Sequence, residues 1–288
     1  MAAAGSLTLQ RLTLRNGSAP GGAGGGIINS GTLMLIDCIL TRNFAELGGG
    51  LFNVGTVIIT HTTFEGNASF GAGGGLNNGG GTVTIANSTF VRNGAGGGGG
   101  VANGFDPAGP AIMTLTNTTV AQNAVRGGGG GVANGGFAVL QSATVAENHT
   151  NAPIQNFGGG IRNVGTMLLQ NTIVARNDNT ARFPAVPDDC TPFTSLGNNL
   201  IGDPTGCTIS LEPTDLTGDP GLGAFTDNGR PGNGHFPLLS TSQAIDAGNN
   251  AVCFRRDQLG RRRVGPCDIG AIRFLDDDDR RQKEEDDY

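Results

Sequence analysis

Tryptophan is absent from this 288-residue chain, its one tyrosine is the last residue, Tyr288, and hydrophobic residues reach only 37%. Such an inventory argues against the thick core of a globular enzyme and suits a thin column of small aliphatics. Lysine is missing from residues 1–177, where seven arginines face five acids, Asp37, Glu46, Glu65, Asp106 and Glu147. A nucleic-acid groove needs clustered positive charge, so nucleic acid is excluded as a partner. No stretch approaches the roughly 20 apolar residues of a membrane helix, which excludes a helical span. Neither Cys-x-x-Cys nor His-x-x-x-His occurs, leaving the five cysteines without a zinc motif.

What is abundant is glycine, 52 residues, and it is placed periodically. Gly26-Ile27-Ile28-Asn29, Gly50-Leu51-Phe52-Asn53, Gly75-Leu76-Asn77-Asn78, Gly100-Val101-Ala102-Asn103, Gly131-Val132-Ala133-Asn134 and Gly160-Ile161-Arg162-Asn163 recur at intervals of 24, 25, 25, 31 and 29 residues. A period in that range marks a repeat architecture. Runs such as Gly96–Gly100 would each cost a helix several kcal/mol, so the repeats are not helical. Disorder is the other reading of a Gly- and Asn-rich chain, but it does not place Val, Ile and Leu at fixed phase behind every glycine tract.

After each tract, apolar residues alternate with Thr, as in Thr82-Val83-Thr84-Ile85 and Thr32-Leu33-Met34-Leu35. That is the period of a strand. A third piece, Thr63-Phe64, Thr89-Phe90, Thr119-Val120, Thr144-Val145 or Ile173-Val174, ends three residues later on Asn67, Asn93, Asn123, Asn148 or Asn177. Pieces this short, bounded by residues that tolerate corners, pair only with their equivalents one period away. The expectation is an all-β parallel β-helix of three sheets and about seven coils over residues 1–177, with strands about 4.8 Å apart along the axis. Leu33, Leu35, Val57, Ile59, Val83, Ile85, Met167 and Leu169 are expected to stack inward, with the intervening threonines in solvent. Asn29, Asn53, Asn77, Asn103, Asn134 and Asn163 are expected to form one asparagine ladder, and positions 43, 67, 93, 123, 148 and 177 a second.

The period breaks near residue 178. Cys190 and Cys207, 17 positions apart, and Cys253 and Cys267, 14 apart, lie in loop-rich sequence and read as two disulfides, each contributing about 3 kcal/mol. Disulfides imply export. Cys38 reads as a buried small residue. The chain opens with no basic start or apolar run, and Leu7-Thr8-Leu9 already resembles a coil, so the expectation is that an export signal and N-terminal cap are missing, or else that open coil edges pair with a second copy. Residues 178–275 read as a cap that continues or covers the helix, their prolines stopping strand propagation. Asp276–Tyr288, with eight acids against three bases, supplies -5 of the net charge of -6 and reads as a solvated tail.

The ordered string Asp188-Asp189-Cys190, Ser195–Asp203, Gly206-Cys207, Thr217-Gly218-Asp219-Pro220, Asp227-Asn228-Gly229, Ala244–Gly248 and Cys267–Ala271 resembles the end of the right-handed parallel β-helix surface proteins called choice-of-anchor Q. The resemblance covers nearly the whole chain and implies a secreted, surface-attached bacterial protein of unassigned biochemical role. Phe274-Leu275 leads into acids where such proteins carry an anchoring segment, a departure that weakens the inference of attachment.

Catalysis on a β-helix of the pectin-lyase-like type needs two carboxylates about 5 to 9.5 Å apart, or a base beside a cation. The scattered acids of the repeats supply neither. In the C-terminal part, Asp203, Asp219 and Asp227 are weak candidates for calcium against a plainer role as turn caps. Asp188 and Asp189 point to opposite faces of an extended strand. His235 is a lone loop histidine. Arg255, Arg256, Arg261, Arg262 and Arg263 with Asp257 could hold an anionic sugar, although pairing with Asp246 and Asp268 explains them more simply. The expectation is therefore a non-catalytic extracellular scaffold or adhesin, contacting surface glycans or itself, with no cofactor; the alternative is a polysaccharide lyase or glycoside hydrolase.

Overall fold

The computed structural model describes residues 5–105, 109–153, 157–181 and 183–275. Asp106 and the acidic run 276–288 lie outside the described residues.

The chain winds into a parallel β-solenoid of about seven turns, but with four sheets, not the three expected from the sequence. Sheet A holds the alternating strands, including Thr32–Ile36, Thr56–Thr60, Thr82–Ala86, Ile112–Thr116, Phe137–Gln141 and Thr166–Gln170. Sheet B holds Ile39–Thr41, Thr63–Glu65, Thr89–Val91, Thr119–Ala121, Thr144–Ala146 and Ile173–Ala175. Sheet D is built from the Gly-aliphatic-Asn segments themselves, from Ile27–Asn29 to Ile161–Asn163. The additional one, sheet C, follows the second set of asparagines: Phe44–Leu47, Ala68–Ser69, Gly94–Ala95, Ala124–Val125, His149–Thr150 and Asp178–Asn179. Most of its strands are two residues long and rich in small or polar side chains, so no alternation announces them.

The register is residue for residue. Leu33, Val57, Val83, Met113, Ala138 and Met167 form one file through sheet A, each almost fully buried. Leu35, Ile59, Ile85, Leu115, Leu140 and Leu169 form a second. Sheet B adds Leu40, Phe64, Phe90, Val120, Val145 and Val174, with the rings of Phe64 and Phe90 stacked 4.5 Å apart and 7° from parallel. Burying each such side chain contributes roughly 1.5–3 kcal/mol, which lets a narrow column hold together without large aromatics.

Polar ladders run along the corners. In the first, each side-chain amide donates to the carbonyl of its successor: Asn29 to Asn53, Asn53 to Asn78, Asn78 to Asn103, Asn103 to Asn134 and Asn134 to Asn163, at 2.7–2.9 Å. The third rung is therefore Asn78 and not Asn77. Asn77 is in register with Phe52 and Ala102 on the other face of the strand, and its buried side-chain amide has no hydrogen-bond partner among the described residues. In the second ladder Asn43, Asn67, Asn93, Asn123, Asn148 and Asn177 are linked the same way at 2.9–3.0 Å. The residue before each of these asparagines, such as Arg92 (φ 54°) or Gln122 (φ 54°), takes the left-handed conformation that turns the corner. Glycine is required elsewhere: Gly73 has φ +70°, and a Cβ on Gly75 would lie 2.5 Å from the carbonyl oxygen of Gly100 in the next coil.

Thr194–Ser195, Leu200–Ile201 and Leu216–Thr217 extend sheets A and B beyond the repeats. Cys190, Phe193, Ile201 and Cys207 join the column core, and the Cys190–Cys207 disulfide lies among them. The second disulfide, Cys253–Cys267, is further along the chain, and Cys38 is free and buried. Residues from about 221 to 275 then fold back as an arm against the outer face of sheet B. Its Leu222, Phe236, Leu238, Ala244 and Ile269 pack on Ala121, Ala146, Ile173, Ala175 and Leu200, forming a second apolar core. The segments 244–248 and 267–271 are turns and loops that touch each other through Ile269 N–H to Ala244 C=O and Gly248 N–H to Cys267 C=O. Among the described residues no helix is long and apolar enough to cross a membrane.

Candidate functional site

The unforeseen sheet C carries a concave surface along the repeats. Its strands present small residues outward, so the floor of a shallow groove is Ala68, Gly94, Ala95, Ala124 and Val125. The groove has a volume of about 510 Å³. Phe44 and Phe70 rise at one end, edge to face at 4.9 Å, and Phe70 is 67% exposed. Arg126, His149, Thr150, Asn151 and Thr180 line the remainder. Among the described residues no carboxylate lines this stretch.

The groove adjoins a second cleft, of about 530 Å³, at the C-terminal end of the solenoid. The junction is His149, whose Nδ1 lies 2.6 Å from Asp178 Oδ1 one coil on. That hydrogen bond, together with the charge of Asp178, outweighs partial burial and raises the His149 pKa above its ordinary value. The second cleft is acidic: among the described residues Asp178, Asp189, Asp203 and Asp219 line it with one arginine, Arg176.

Each of these acids already has a partner. Asp219 accepts from Arg176 at 3.1 Å and from the Gly221 N–H, which holds its pKa down. Asp203 accepts the Thr205 N–H two residues on. Asp189 ends the second asparagine ladder: its Oδ1 accepts both the backbone and side-chain N–H groups of Asn177, and its Oδ2 accepts the Asp203 N–H. A last rung needs only acceptors, which is what a carboxylate offers. Burial nonetheless outweighs those three donors and pushes the Asp189 pKa up to about 6. Its neighbour Asp188 faces the other way, binding the Phe157 and Gly158 N–H groups.

Of the calcium candidates, Asp203 and Asp219 share the acidic cleft, while Asp227 lies on the arm and accepts the Gly229 N–H. No group of three or more His, Cys, Asp or Glu side chains among the described residues is placed to hold a metal ion. The arginine cluster is also rearranged relative to the expectation. Arg263 donates to the backbone carbonyls of Asp268 and Gly270, not to a carboxylate. Asp268 instead accepts the Asp246 and Phe274 N–H groups, and Asp257, fully buried, accepts those of Leu259, Arg261 and Arg273. These carboxylates hold loops. His235 is buried, with Nδ1 2.7 Å from the Asn233 carbonyl oxygen, and desolvation lowers its pKa.

His149 and Asp178 went unremarked in the sequence. The signal was present, since each follows a rung of the second ladder, Asn148 and Asn177, and so occupies the same phase. Comparison with protein-family models, curated proteins and solved structures finds no match to this chain.

Proposed function

We propose that this protein is an exported, non-catalytic β-solenoid that acts as a surface scaffold or adhesin and contacts glycan chains along sheet C. The observation that carries the reading is the lengthwise groove with a small-residue floor and the exposed Phe70 at its end. An open trough of this kind accommodates an extended chain, with a ring face for a sugar and neighbouring polar groups for its hydroxyls. Two disulfides support an oxidising compartment, and the resemblance to choice-of-anchor Q proteins supports a bacterial cell surface. Self-association through coil edges belongs to the same reading.

Affinity electrophoresis through gels containing neutral polysaccharides tests it, with product analysis on the same mixtures. Retardation that is lost in Phe70→Ala, with no new reducing ends or unsaturated sugars, is the expected result. Release of products would select the lyase or hydrolase alternative. That alternative draws on the elevated Asp189 pKa, which is a property of general acids. Against it, Asp189 is 2% exposed and has both oxygens engaged by the coil.

A further inference from the structure

The arm encloses a cleft of about 570 Å³ on the opposite side of the molecule's chemistry: its charged walls are all basic. Arg230, Arg261 and Arg273 line it, with Thr226, Asn228, Asn233 and His235, over an apolar side that includes Leu238, Leu259 and Ile272. Among the described residues no carboxylate lines it.

The positions are held by tight local structure. Thr226 and His235 pair through reciprocal backbone hydrogen bonds, and the intervening tip is closed by Arg230 N–H to Asn228 Oδ1 and Asn233 N–H to Arg230 C=O. Across the cleft, Asp257 N–H bonds to Arg261 C=O, and the Asp257 carboxylate takes the Leu259 and Arg261 N–H groups. The buried Asp257 behind the wall thus spends its hydrogen bonds on backbone donors, while its charge still acts on Arg261 and His235. Asp227, at the tip, is the other acid near enough to act on His235. Arg273 braces the wall, donating from its side chain to the carbonyls of Phe274 and Arg262.

Arg261 is different. Its guanidinium is partly buried, and burial lowers its pKa, yet it makes no ion pair or hydrogen bond to any described residue. Arg230, exposed on the wall of the same cleft, likewise has no partner for its guanidinium among the described residues. A desolvated guanidinium with five unused donors in a fixed fork is matched to a planar oxyanion. Amide and hydroxyl groups at Asn228, Asn233 and Thr226 add the neutral donors and acceptors that sugar hydroxyls require.

We infer that this cleft binds an acidic saccharide, with its carboxylate on Arg261 and Arg230 and its hydroxyls on the neighbouring amides. The site is separate from the groove on sheet C and involves none of the same residues.

The test is titration calorimetry on the full chain at low ionic strength with an oligouronate of four residues, its fully methyl-esterified form, and inorganic sulfate. The free acid should bind, and the ester should not. Raising salt should weaken binding, since an exposed ion pair is screened. Arg261→Gln and Arg230→Gln should each weaken it about tenfold, the usual effect of losing one charge-assisted contact, with unchanged melting temperature, because neither guanidinium holds the fold. Phe70→Ala should leave it unaltered, so that failure here is distinct from failure of the sheet C reading. Equal binding of acid and ester, affinity unchanged in both arginine variants, or no uronate binding would overturn the inference. Sulfate binding without uronate binding would reduce the cleft to a simple anion site and overturn the saccharide assignment.

Discussion

Two adjacent asparagines show how much a single position decides. Asn78 donates to Gly81 C=O and Asn103 Oδ1, and accepts from Asn53 and the Gly81 N–H, whereas the equally buried side chain of Asn77 has no hydrogen-bond partner among the described residues. Asn78→Ala leaves several buried groups unpaired and should cost roughly 2–4 kcal/mol. Asn77→Ala removes an unpaired amide, which offsets the small cavity it creates, so stability should hold or rise. Urea unfolding of both variants checks this, and equal losses would refute the register. Asp189 gives a second test at this scale. Folding raises its pKa from 3.8 to about 6, so the folded state holds the proton more tightly than the unfolded chain. Its contribution is complete below pH 3.8 and is lost as pH rises through about 6, up to about 3 kcal/mol. Asp189→Asn removes that titration. The difference in urea midpoint between wild type and variant should therefore change between pH 4 and pH 7, and a constant difference would contradict the assignment.

Strands differ in how plainly they announce themselves. Sheet A was legible because Thr82-Val83-Thr84-Ile85 alternates and Val83 and Ile85 are buried to the same extent as their counterparts. Sheet C was not, because a two-residue strand such as Gly94–Ala95 has no period to detect and is held by its place after Asn93. The third rung was available too: the asparagine three residues past each tract glycine repeats at the same intervals as the glycines, and that rule selects Asn78. What sequence could not show is where an aperiodic segment docks, so the arm emerged only in three dimensions, although Arg261 of its cleft already stood in a basic run read as able to hold an anionic sugar. The glycine tracts are an element-scale requirement. Gly75→Ala would set a Cβ 2.5 Å from the Gly100 carbonyl oxygen and 3.0 Å from the Phe90 ring, separating two coils that both ladders need in contact. A loss of at least 2 kcal/mol is expected from such overpacking. Thermal unfolding measures it, and a silent substitution would mean the coils are not in tight contact there.

The whole molecule is a column with an arm fastened to one side by threonines that would otherwise face water. Gln258, fully buried, is the central fastening: its amide donates to Thr89 Oγ1, Gly232 C=O and Gly234 C=O, and its carbonyl accepts from Thr119. Gly232 N–H binds Thr63 Oγ1 and Ala271 N–H binds Thr144 Oγ1. Gln258→Leu leaves those groups buried and unpaired, so the arm should detach while the column stays folded. Limited proteolysis should then cut within residues 221–275 and spare the repeats; cleavage spread through the column would show that arm and coils unfold as one. Because the arm's fastenings fall on five successive coils, from Thr63 to Asn171, its own fixed length works as a gauge. Duplicating a 25-residue unit within that span would shift every later peg by about 4.8 Å, so this part of the molecule can change in sequence but not in tally, while the stretch before Thr63 is free to gain or shed turns.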